Sequence, residues 1–299
     1  MKRLFLLLLV LTLLLTSMTS CASRTPPGPG AITDDLGRTV NIEDVPQRIV
    51  SLAPSITETL FALDLGDRVV GVTEYCDYPE EALAKPKVGA YFATSLESII
   101  HQNPDIVLSD GHDPVSGQLE SLGVTLVVLQ PQSIDGILRD IELVGRITGR
   151  ESKAGELVAE MERRIDAIAA KTMEVDRPTV FYVIDASEPA KPWTAGAGTF
   201  IDALIRLAGG ENVAATEGPY TQFSLEALIN ADPAMIIGPA RHGTSFLPDL
   251  GGFPGWKEMR AVKEGKVHLI EADLVSRPGP RIVEGLEEMA RLIHPELFL

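Results

Sequence analysis

The chain has 299 residues, 45% of them hydrophobic and 23% charged, with 26 Lys+Arg set against 42 Asp+Glu. That length supports one large or two medium domains whose cores need no disulfide or metal staple. A net charge of −16 excludes a nucleic-acid groove and a surface built for anionic membranes, since both need clustered positive charge.

Lys2 and Arg3 open the chain, an apolar run follows from Leu4 to Leu15, and small polar residues lead to Ser20 and Cys21. This is the pattern of an export leader over residues 1–20, with an apolar part too short to span a bilayer. Met18-Thr19-Ser20-Cys21 resembles a bacterial lipobox, with Met18 where Leu is usual, and implies that Cys21 is acylated as the mature N-terminus. An ordinary cleavable signal with an incidental Cys is the competing reading. A lipidated Cys21 leaves Cys76 without a partner, so no intramolecular disulfide is expected. Residues 21–36, rich in Pro and Gly, read as a flexible tether. The body is therefore expected outside the cytoplasm, held to the membrane by a lipid.

Short β-branched runs then alternate with helical patterns, which predicts an α/β fold with largely parallel sheets. The expected strands are Arg48–Leu52, Val69–Thr73, Asp105–Ser109, Thr125–Leu129, Thr179–Ile184, Ala234–Gly238 and Lys266–Ile270. Between the fourth and fifth, Ile134, Ile137, Leu138, Ile141, Val144 and Ile147 recur in steps of three and four. Ala154, Leu157, Val158, Met161, Ile165 and Ile168 repeat the pattern after a joint near Gly149. The second of these helices predicts a single spine between two lobes. The boundaries read as an N-terminal lobe over 37–133, a helical linker over 134–177 and a C-terminal lobe over 178–299.

The two halves echo each other. Leu96–Leu108 parallels Leu225–Ile237, each reading helix, Asn/Asp-Pro stop, buried strand. A looser echo pairs Ser55–Val69 with Thr199–Val213. Two similar α/β lobes facing across a cleft are expected, with the ligand crevice beyond the carboxyl ends of the strands. Loops there carry Tyr75, Tyr78, Tyr91, Phe92, Trp193, Tyr220 and Phe246, rings suited to a broad, partly apolar ligand. Capping of the lobe cores is the plainer role for some of them.

Catalytic signatures are sparse: no nucleophile elbow, phosphate-binding loop or two-His zinc helix occurs. Gly196-Ala197-Gly198 lacks the rest of a dinucleotide fingerprint and reads as a tight turn. Asp110-Gly111-His112-Asp113 sets a base beside a carboxylate, and Arg241-His242 holds nearly the same place in the second half. These are either polar groups on opposite cleft walls or solvated loop histidines. Five His in all disfavour a bare-metal site. Ser55-Ile56-Thr57-Glu58 matches a helix capping box, which accounts for Glu58. Glu97 and Glu226, each after Ser-Leu at a helix start, are either helix-dipole partners or a matched pair of docking points.

Arg48-Ile49-Val50-Ser51-Leu52-Ala53-Pro54-Ser55-Ile56-Thr57-Glu58 resembles the opening of class III substrate-binding proteins of ABC importers, which serve cobalamin, ferric siderophores and haem. Val72–Pro79, Thr194-Ala195-Gly196, Ala208–Asn212 and Ser276-Arg277-Pro278-Gly279-Pro280-Arg281 look most like the cobalamin-binding branch, and the resemblance covers about residues 37 to 295. It implies two lobes bridged by a long helix. It implies further that Tyr75, Tyr91, Asp110, Trp193, Tyr220, Asp273 and Arg277 contact the ligand, Asp110 standing where that branch can carry a ring. Glu97 and Glu226 fall where the family presents carboxylates to the membrane permease. The expectation is a non-enzymatic binding lipoprotein, without a cofactor of its own, that delivers cobalamin or a related corrinoid to an ABC importer. A ferric-siderophore or haem receptor on the same fold is the alternative, and an extracytoplasmic enzyme using the Asp110–Asp113 loop is a third class.

Overall fold

The computed structural model of the protein describes residues 27–241, 244–245, 247 and 250–298. In chain order the N-terminal lobe comprises β1 (Pro27–Thr33), β2 (Thr39–Asp44), β3 (Ile49–Ser51), α1 (Pro54–Ala62), β4 (Val69–Val72), β5 (Gly89–Ala90), β6 (Ala93–Thr94), α2 (Leu96–His101), β7 (Ile106–Ser109), α3 (Ser116–Ser121) and β8 (Leu126–Val128). Two helices follow, α4 (Ile134–Thr148) and α5 (Glu151–Lys171). The C-terminal lobe comprises β9 (Thr179–Tyr182), β10 (Trp193–Ala195), α6 (Phe200–Leu207), β11 (Glu211–Asn212), β12 (Tyr220–Gln222), α7 (Leu225–Ala231), β13 (Met235–Arg241), β14 (Thr244–Ser245), α8 (Arg260–Lys263), β15 (Val267–Glu271), α9 (Ala272–Ser276) and α10 (Ile282–Ile293). Each of the seven β-branched runs is a strand.

The internal echo is a duplication of topology. The N-terminal sheet runs β4-β3-β7-β8, all parallel. In the C-terminal sheet β11-β9-β13-β15 are also parallel and occupy the same places in the same chain order, with the short β14 added antiparallel against the end of β13. In the stronger echo, Ser95 and Ser224 each cap a helix by accepting a backbone N–H, from Ser98 and Ala227. Asn103 and Asp232 then turn left-handed, at φ 45° and 40°, before the prolines that lead into β7 and β13. Asn and Asp tolerate that conformation better than other side-chain-bearing residues, and proline blocks any further helix.

Alternation along the strands divides the core. Ile106, Leu108 and Val127 join a cluster that continues beneath both lobes, while Val107, Leu126 and Val128 face Ile99 and Leu119 on the other side of the first sheet. The six apolar positions predicted on α4 are all buried. Ser133 caps that helix and Gly149, at φ 68°, ends it in the left-handed conformation that glycine adopts without strain. α5 runs 21 residues, about 31 Å, and its buried Met161 and Ile168 belong to the core shared by the lobes.

The N-terminal margin corrects the sequence reading of a tether over 21–36. From Pro27 the chain is already strand: β1 pairs antiparallel with β2, Ile32 and Ile42 enter the main core, and a turn at Asp34–Gly37 closes the hairpin. Pro and Gly suggested slack, but β2 supplies hydrogen-bond partners that no local pattern reveals. Cys21 and the leader lie outside the described residues.

Candidate functional site

Between the lobes lies a cleft of about 360 Å³, lined by Ala53, Pro54, Ser55, Tyr75, Tyr91, Phe92 and Asp110 from one lobe. From the other come Ala272, Asp273, Ser276, Arg277 and Pro278. The polar residues sit just beyond the carboxyl ends of strands, as open parallel sheets dictate. Tyr75 follows β4, Asp110 follows β7, and Asp273 and Arg277 follow β15. Tyr91 and Phe92 form the tip of the β5–β6 hairpin.

At the mouth, the Tyr91 hydroxyl donates to Asp110 Oδ2, and Asp110 Oδ1 accepts the His112 backbone N–H at 3.2 Å. The His112 ring stacks on Tyr91 with centroids 6.2 Å apart and planes inclined by 30°, and Phe92 meets Tyr91 edge-on at 4.5 Å. Burial pushes the Tyr91 phenol well above its usual range, and the hydrogen bond and negative charge of Asp110 push it further, so the hydroxyl keeps its proton. Phe92 is 72% exposed, an apolar ring held in water at the entrance.

Arg277 is buried in the cleft wall and heavily engaged. Its Nη1 donates to Glu58 Oε1 at 2.9 Å and Asp77 Oδ1 at 2.7 Å, while Nη2 pairs with Asp273 Oδ2 at 2.8 Å and reaches the Tyr75 carbonyl at 3.4 Å. Four of the five guanidinium N–H groups are thereby spoken for. Burial alone would lower the Arg277 pKa; the hydrogen bonds to Asp77 and Glu58 outweigh it and hold the charge. Among the described residues lining the cleft, Arg277 is the only cation, and three carboxylates share it.

The structure thus gathers Tyr75, Tyr91, Asp110, Asp273 and Arg277 in one place. Trp193 and Tyr220 do not line this cavity; they stand half-exposed on a two-stranded ribbon in which β10 pairs antiparallel with β12. Tyr78 turns away to stack on Arg281, with the guanidinium 3.9 Å from its ring centroid. Asp113 holds its own loop, accepting from Ser109, Ser116 and the Val115 N–H, and does not orient His112. His242 and Phe246 lie outside the described residues. Glu97 and Glu226 stand exposed in the first turns of α2 and α7.

The capping-box reading of Glu58 is corrected. α1 starts two residues early, with Ala53 at the cap and Pro54 in the first turn, where its missing N–H costs nothing. Glu58 instead accepts from Arg277 and Arg281 across the lobe boundary. No local pattern marks those partners, although Arg281 belongs to the same quoted motif as Arg277.

The sequence profile described as "Periplasmic binding protein" matches residues 49–274. An uncharacterized ABC transporter substrate-binding lipoprotein, YvrC of Bacillus subtilis, is 34% identical over 284 residues, 92% of this chain and 88% of that protein. A cobalamin-binding protein of Halobacterium salinarum is 30% identical over 96% of this chain and 84% of its own length. Among solved structures, the apo form of the periplasmic heme-binding protein RhuT from Roseiflexus sp. RS-1 superposes with a TM-score of 0.74. It is 28% identical and covers 84% of this chain and 99% of that one. The chain belongs to the periplasmic binding protein family, as a substrate-binding protein of ABC transporters and not an enzyme.

Proposed function

We propose that this protein captures cobalamin or a related corrinoid between its lobes and delivers it to an ABC importer. The observation that carries the reading is the chemistry of the cleft. Rings at the mouth suit the broad apolar faces of a macrocycle, and Asp110 and Asp273 add acceptors along the walls. A corrin edged with primary amides supplies donors for those acceptors. An anionic siderophore or the two propionates of haem would need free cations, whereas Arg277 is already shared among Glu58, Asp77 and Asp273. The cobalamin-binding relative in Halobacterium salinarum supports the same reading.

Haem is the second reading. Tyr91 Oη and His112 Nδ1 lie 3.5 Å apart at the entrance, and both are side chains that ligate haem iron. The heme-binding RhuT shares the fold. Titration calorimetry of the mature chain with cyanocobalamin, haem and a ferric siderophore separates the readings. One-to-one corrinoid binding with Kd in roughly the nanomolar to low-micromolar range is expected. Silence toward the corrinoid with binding of haem or a siderophore would overturn it.

Glu97 and Glu226 are matched docking carboxylates for the permease, one on the first turn of corresponding helices in each lobe. With the lipid on Cys21, six residues of sequence separate the anchor from β1, a separation of at most about 20 Å. That short leash would keep the protein close beside its transporter. Trp193 and Tyr220 would extend the ligand surface from the ribbon.

A further inference from the structure

The lobes are joined by more than their core and spine. Glu58, on α1, is 3% exposed, and its carboxylate takes three hydrogen bonds from the opposite lobe. Oε1 accepts from Arg277 Nη1 at 2.9 Å and Arg281 Nη2 at 2.6 Å, and Oε2 accepts from Arg281 Nε at 2.8 Å. Around this centre, Arg277 also reaches Asp77 of the first lobe, and Arg281 lies over Tyr78 of the same segment. Between the two arginines the backbone of Gly279 comes so close to α1 that a Cβ there would stand 3.1 Å from the Ser55 carbonyl oxygen.

Glu58 also separates two spaces. Arg277 faces the cleft, whereas Arg281 lines a groove of about 620 Å³ on the other side, with Phe61, Tyr78, Met161 and Arg164. Arg281 does not line the cleft. Charges held this way cannot part without leaving a buried carboxylate uncompensated until water enters.

We propose that Glu58, Arg277 and Arg281 form a clasp that sets the separation of the lobes and must open for ligand to leave, which makes Glu58 a positioning residue for the cleft. The spine sets how far the lobes could swing; the clasp sets where they rest. A permease that draws the lobes apart would break it, loosening Arg277 and the cleft wall in the same event. Only the release-rate part of this inference rests on the corrinoid reading.

The test uses the mature chain carrying Cys21→Ser, spin-labelled through Leu122→Cys and Glu188→Cys, exposed positions on opposite lobes. Arg281→Met removes two of the three hydrogen bonds on Glu58 without removing a cleft residue, and Glu58→Gln removes the negative charge that both arginines share. Both should broaden the interlobe distance distribution toward longer values and release cyanocobalamin at least tenfold faster. Arg281→Lys, which keeps the charge but loses the two-pronged contact, should fall between them and the parent. If Glu58→Gln does not fold, the two Arg281 variants decide alone. Parental distances and release in Arg281→Met would overturn the clasp. Broadened distances in a protein that binds no corrinoid would leave the clasp standing and remove the ligand reading.

Discussion

Asp140 offers the sharpest quantitative test of the fold's electrostatics. It sits on α4, is 8% exposed, and as a carboxylate leaves Oδ2 with no hydrogen-bond donor among the described residues. Burial and then the neighbouring charge of Asp35 push its pKa up to about 8; protonated, it donates to Asp35. Asp35 lies in the turn after β1 and is pinned there, accepting the Gln130 N–H at 2.7 Å. Arg139 pulls the pKa back down without prevailing, and Glu142, Arg146 and Glu151 line the adjoining space. The folded state therefore holds a proton that the unfolded chain gives up near its ordinary value of 3.8. Stability from this group is full below that value and falls as pH rises toward 8, by about 1 kcal/mol per pH unit. Asp140→Asn keeps the shape, removes the charge and lets an amide N–H replace the shared proton. It should be nearly neutral at pH 4 and stabilise by a few kcal/mol at pH 8, a Tm gain of roughly 5–10 °C. Thermal denaturation of parent and variant across pH 4–9 measures this. Parallel Tm profiles would refute the assignment of a buried proton to this pair.

Other consequences follow from the cleft and the lobe surfaces. Tyr91→Phe keeps the ring but removes the donor to Asp110, freeing a carboxylate at the cleft mouth. A hydrogen bond to a charged group contributes about 1.5–3 kcal/mol, so thermal denaturation should show the variant destabilised by up to about that amount, a Tm loss of roughly a few degrees; an unchanged Tm would remove this contact's role in holding the hairpin tip. Glu97→Ala with Glu226→Ala touches only exposed side chains. Ligand Kd should stay at the parental value and stability within about 0.5 kcal/mol, while uptake by cells carrying the cognate importer falls sharply; equal losses in binding and uptake would remove the docking role.

The α/β class, the seven main strands, the helices α4 and α5 and the duplication of the lobes were all legible in the amino-acid order. All of these rest on short-range chemistry: β-branched runs, three-and-four apolar spacing, and Asn-Pro or Asp-Pro stops with Ser caps. The ligand segments were legible because residues that line a crevice in parallel sheets follow strand ends, and the strand ends were readable. Tertiary structure alone decided what those segments touch. Ser55-Ile56-Thr57-Glu58 has the local form of a capping box, yet Glu58 finds arginines 219 and 223 residues away. Pro27–Gly30 has the composition of a tether, yet β2 turns it into an edge strand. Trp193 and Tyr220 stand at chain positions that read as separate loops, yet β10 and β12 pair to bring them onto one antiparallel ribbon. Local patterns set backbone preference at a fraction of a kcal/mol per residue. A buried charge or an unpaired strand edge costs several times more, so each takes whatever partner the assembled lobes bring within reach.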